Sequence, residues 1–81
     1  MKNYLIGFEV LDFCDVLNNP LNYLYSAIHV DYGSFVRDGV IISVYAHSIE
    51  YIYYDYKYNT IRLGRIVRRT SFHASILYCK V

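Results

Sequence analysis

The chain has 81 residues, 56% of them hydrophobic, with eleven Tyr, four Phe, no Trp and a formal charge of +1. This composition excludes a disordered chain, and the length holds a single domain, residues 1 to 81, whose small size limits the surface it hides and favours self-association. Near-neutral charge argues against strong nonspecific polyanion binding, which draws on many phosphate contacts.

The sign of the charge is uneven along the chain. Residues 1 to 48 hold two Lys/Arg against five Asp/Glu, and residues 49 to 81 hold six against two. Such asymmetry marks either a polyanion-binding end or acidic and basic parts that face each other in a monomer or dimer. The longest charge-free run, residues 16 to 30, is broken by Asn18-Asn19-Pro20, and the next, residues 39 to 49, is too short to span a bilayer. No membrane association is expected. Met1-Lys2 leads straight into a strand-like run with no secretory pattern, which points to an intracellular address. Cys14 and Cys79 are then expected as reduced, buried thiols, with a disulfide as the alternative. The vocabulary, with no Gln, abundant Ile and Tyr and Arg over Lys by five to three, suits a small protein of a thermophilic archaeon or its virus. Five Asn count against heat tolerance.

Residues 4 to 10 alternate Tyr4, Ile6, Phe8, Val10 against Leu5, Gly7, Glu9, which predicts a first strand placed centrally because both faces carry apolar side chains. Residues 12 to 17 predict a short helix that Asn18-Asn19 stops. Asn19-Pro20 is a helix start, since Asn caps free amides and Pro at the first position has no N–H to lose. Leu21, Leu24, Tyr25 and Ile28 then fall at i, i+3, i+4 and i+7, the apolar stripe of a main helix ending near His29 and packing on the sheet.

Tyr32-Gly33-Ser34 reads as a loop and Asp38-Gly39 as a tight turn or bulge ahead of a strand over residues 40 to 46. The link at His47-Ser48 leaves that strand's facing open: two residues put Val40, Ile42, Val44 and Ala46 beside Tyr51 and Tyr53, and three turn them over. Residues 49 to 58 and 61 to 69 form a hairpin on Asn59-Thr60, pairing Tyr58 with Ile61, Tyr56 with Leu63, Tyr54 with Arg65, Ile52 with Val67 and Glu50 with Arg69. That face is the expected core. A turn at Thr70-Ser71 adds residues 72 to 80, with Phe72, Ala74, Ile76 and Tyr78 on the same face. The fold class is thus α+β: an N-terminal strand, one main helix behind a short one, and an antiparallel four-stranded meander. Arg65 falls on the apolar face, where it must reach an edge, pair with an acid or be turned outward by a bulge at Gly64.

The opposite face, with Tyr51, Tyr53, Lys57, Arg62, Arg68 and His73, is the candidate surface for a partner or a nucleic acid, because bases stack on Tyr while Arg and Lys neutralise phosphates. The plainer reading is a solvated sheet surface or an interface, favoured by Ile66 and Leu77 on the same face. No Gly-aromatic RNA-recognition submotif is present. Cys14, His29 and Asp31 are not held together by any nucleophile–base spacing, and Cys14, His29, His47, His73 and Cys79 lack a close ligand pair. The four glycines are isolated, so no phosphate-cradling loop is encoded. These readings predict a non-enzymatic interaction protein, with no catalytic residue, metal, cofactor or small-molecule ligand. Its expected partners are a second copy and another protein, with single-stranded nucleic acid as the alternative.

Overall fold

The computed structural model of the chain describes residues 6 to 80. In chain order their elements are β1 (Glu9–Val10), α1 (Phe13–Asn18), α2 (Pro20–Tyr23), β2 (Ala27–Asp31), β3 (Val36–Val44), β4 (Ser48–Asp55), β5 (Thr60–Val67), α3 (Arg68–His73) and β6 (Ser75–Cys79). The strands form one antiparallel sheet in the order β1-β6-β2-β3-β4-β5. The coarse α+β class stands, weighted to sheet. The main helix and the particular meander do not.

The short helix expected over residues 12 to 17 forms as α1. The Asp12 carboxylate accepts from the Cys14 and Asp15 N–H groups at 3.0 and 3.3 Å, satisfying donors that a helix start leaves free. Pro20 does open α2, but this helix ends after one turn: Leu24 is extended and Tyr25 sits at φ 68. The Tyr25 N–H donates to the Ile41 carbonyl and the Ile41 N–H to the Ser26 carbonyl, so β3 captures the segment on which the helix would have continued. β-Branched Ile28 and Val30 then enter β2, paired on both edges and fully buried, an environment that suits them better than a half-exposed helix. The predicted stripe fails accordingly: Leu21 is 85% exposed, while Tyr23, outside the stripe, is buried against Tyr78.

The predicted first strand is also corrected. Within the described residues it is only β1, an edge strand on β6; Tyr4 and Leu5 lie outside them.

β6 does not follow β5 as a neighbour. Val67 pairs with Ser48, beside the β3–β4 turn, whereas Ser75 pairs with Asp31, beside the β2–β3 turn, so α3 must cross from one end of the sheet to the other. In a flat sheet the four strand spacings from β5 to β6 alone would take about 19 Å. A link whose six helical residues rise only about 9 Å cannot also cover the length of the strands. The sheet must therefore curl, with α3 running across its concave side.

The hairpin of β4 and β5 pairs Asp55 with Thr60 around a four-residue turn, Tyr56 to Asn59, rather than closing on Asn59-Thr60. Asn59 supplies the positive φ of 54 that the turn requires. The register moves by an even number of residues, so the same side chains still share a face. What changes is which face is covered. Ile49, Tyr51, Tyr53 and Ile66 face the concave side with Ile28, Val30, Ile41 and Ile76, and Leu11, Phe13, Val16 and Tyr23 close over them as the core. The expected core face, with Tyr54, Ile61, Leu63 and Val67, is uncovered.

Neither simple link places β3. A bulge between Ile41 and Ser43 makes Ile42 an extra residue, so Val40 pairs with Ile52 on the outer face while Ile41 and Val44 both point inward, opposite Tyr51 and Ile49. Arg65 finds its acid directly across the strand: Nη2 donates to Glu50 Oε2 at 2.7 Å on the outer face. Gly64 marks a close approach rather than a bulge, and Gly39 lies within β3 rather than in a turn. Both cysteines are free, with Cys14 exposed instead of buried. No helix among the described residues is long and apolar enough to cross a membrane.

Candidate functional site

The outer face of the sheet presents one continuous apolar patch. Val40, Ile52 and Leu63 stand opposite one another across β3, β4 and β5, and the Tyr54–Ile61 pair extends the patch on one side. Leu63 is 55% and Ile61 60% exposed, although both belong to the regular strand β5. An ion pair and a histidine–carboxylate hydrogen bond flank the patch. Beyond Ile52 on one side is Glu50–Arg65, with the Arg65 side chain 60% exposed; two residues before Val40 is Asp38, 63% exposed, whose carboxylate meets His29 Nδ1 at 2.6 Å. The Arg65 guanidinium, and after it the Tyr45 hydroxyl, holds the Glu50 carboxyl below the usual carboxylate range.

On the concave side a cleft of about 720 Å³ opens beside α3, lined by Tyr32, His47, Val67, Arg68, Arg69, Thr70 and His73. These residues come from both ends of the sheet, Tyr32 from the β2–β3 turn and His47 from the β3–β4 turn, and the diagonal path of α3 gathers them. Tyr32 is held in place, its hydroxyl 2.9 Å from that of Tyr51 and its ring stacked on Phe35. The Val67 N–H donates to Thr70 Oγ1, which ties the first turn of α3. Among the described residues no carboxylate lines the cleft, and neither Arg68 nor Arg69 pairs with one.

The six site residues expected from sequence fall in three places. Tyr51 (0% exposed) and Tyr53 (8%) lie in the core and form no open stacking platform. Arg37 covers them, its guanidinium 4.3 Å from the Tyr53 ring centroid and Nη1 3.3 Å from the Tyr51 hydroxyl. Burial, first, raises the Tyr51 hydroxyl well above the ordinary tyrosine range. Lys57 and Arg62 stand at the β4–β5 turn over the Tyr58 ring, with Arg62 3.6 Å from Asp55. Arg68 and His73 reach the cleft, where Arg68 also lies 6.0 Å from the Phe13 ring centroid. His47, Arg69 and Tyr32 join them there, and the only sequence signal for this gathering was the Arg68-Arg69 doublet.

Cys14, His29 and Asp31 do not assemble: Cys14 is exposed on α1, His29 meets Asp38, and Asp31 accepts from the Gly33 N–H. Among the described residues no group of three His, Cys, Asp or Glu is placed to hold a metal ion. Compared with protein-family models, curated proteins and solved structures, the chain has no match.

Proposed function

We propose that this chain is a small non-enzymatic interaction protein that pairs with a second copy of itself through the outer face of its sheet. The observation that carries the reading is the uncovered Val40–Ile52–Leu63 row between an exposed acid and an exposed base. Apolar area of this kind is normally hidden, and none of the described residues hides it here. Charge chooses the occupant. Asp38 on β3 and Arg65 on β5 lie on either side of Ile52 on β4, so a two-fold axis in the interface plane near Ile52 brings each Asp38 toward the Arg65 of the other copy. Three strands by eight residues give a footprint on the order of 400 Å² per copy. That is the low end of specific interfaces and fits a dissociation constant on the order of micromolar.

Sedimentation velocity at tens of micromolar tests it. The expected result is a dimer that Leu63→Asp converts to a folded monomer, because a carboxylate in the apolar row has no partner. A monomer in the unsubstituted chain at that concentration rejects the reading. The second reading, single-stranded nucleic-acid binding, is favoured by Arg68 and Arg69 of the concave side, which pair with no carboxylate among the described residues.

A further inference from the structure

The cleft beside α3 lies across the sheet from the face just assigned to self-association, and it concentrates positive charge in a chain of formal charge +1. Arg68 and Arg69 are neighbours in one helical turn, with His47 and His73 on the same cleft and no acid among the described residues that line it. Like charges held together in a concave, partly apolar site raise the local potential and draw in an anion. Guanidinium forks match the oxygens of a phosphate, to which Thr70 adds a hydroxyl. The volume, about 720 Å³, is that of a site for an organic ligand and far exceeds what a lone inorganic phosphate fills. Tyr32, clamped by Tyr51 and Phe35, supplies a fixed apolar wall.

We infer that this cleft binds the phosphate of a nucleotide, free or at the 5′ end of a strand. Arg68 and Arg69 hold the phosphate, and the base packs against Tyr32. The site is independent of the outer face, so its failure leaves the dimer reading standing and the reverse.

Isothermal titration calorimetry of the full chain tests it with AMP, adenosine, inorganic phosphate, and a hexanucleotide bearing either a 5′-phosphate or a 5′-hydroxyl. AMP is expected to saturate at one per chain, with adenosine and inorganic phosphate each at least about tenfold weaker because each lacks one half of the recognition. The 5′-phosphorylated strand binding more tightly than AMP assigns the site to strand ends, and the opposite order assigns it to free nucleotides; both support the cleft. Arg69→Ala should weaken binding at least about tenfold, the loss of one charge-assisted fork. Arg68 packs over Phe13, so Arg68→Lys, which keeps the charge and loses the fork, serves there, with circular dichroism to show the fold intact. Lys57→Ala with Arg62→Ala, at the β4–β5 turn, should change nothing. Absence of binding by both AMP and the phosphorylated strand overturns the inference. So does binding that survives both arginine changes, or a 5′-hydroxyl strand binding as tightly as its phosphorylated counterpart.

Discussion

The ring of Tyr51 lies on Gly64, its partner across β4 and β5: a Cβ at position 64 would come within 2.3 Å of Tyr51 Cζ and 2.6 Å of its hydroxyl oxygen. Glycine is required there by space, not by backbone angle. Gly64→Ala must push a fully buried ring out of its place and is expected to cost about 1 to 3 kcal/mol, read as a lower urea midpoint. Tyr51→Leu removes the colliding atoms, so in the double variant the two losses should sum to less than their separate values. Strict additivity would mean that the ring does not rest on this glycine.

The dimer proposal makes a charge-exchange prediction. Asp38→Lys or Arg65→Asp alone should weaken self-association at least about tenfold, because each places like charges across the two-fold axis. Asp38→Lys combined with Arg65→Asp restores opposite signs and should recover most of it. Sedimentation equilibrium of the four proteins checks this, and failure of the double exchange to recover would remove the two-fold arrangement about Ile52.

Glu50 sets an acid limit on stability. Its folded pKa is depressed by Arg65, so on acidification the unfolded chain takes up this proton before the folded one. The contribution is complete above the ordinary Glu value of about 4.3 and is lost as pH falls through the lower folded value. Melting temperature followed from neutral pH down to about 3 should therefore decline less steeply in Glu50→Gln than in the unsubstituted chain. Equal slopes would assign the acid sensitivity to other carboxylates.

Leu21 and Tyr23 separate the helix expected from sequence from the one that forms. Leu21→Ser, at an exposed position, should change stability by no more than about 0.5 kcal/mol. Tyr23→Phe deletes the hydroxyl that donates to the Asp15 carboxylate, the contact that, ahead of burial, raises the Tyr23 pKa well above the ordinary range. Its cost is about 1 kcal/mol, and Tyr23→Ala, which also opens a cavity against Tyr78, about 3 to 5 kcal/mol. Thermal melts of the three variants rank them.

Local chemistry was enough to read several features from the chain alone. The Asn18-Asn19 stop ended the short helix near its observed end, the β-branched and aromatic runs of β3, β4 and β5 announced strands, and alternation sorted Tyr51, Tyr53 and Ile66 from Tyr54, Ile61 and Leu63. Period 2 survives any even slip of register, so that sorting held even though the turn did not close on Asn59-Thr60. Which set is buried is not a local property, because both are apolar enough to be a core. That was decided by where the chain crosses the sheet: α1, α2 and Arg37 cover the Tyr51 side, and none of the described residues covers the Leu63 side. The same holds for Ile28, whose place in the helical stripe is real but whose β-branched side chain finds two strand neighbours at the sheet centre. The cleft was the least legible feature. Its residues are separated by up to some forty positions and meet only because α3 carries the chain from the end of β5 to the start of β6 across a curled sheet. Local spacing encodes elements and their faces; long-range crossings decide what those faces meet.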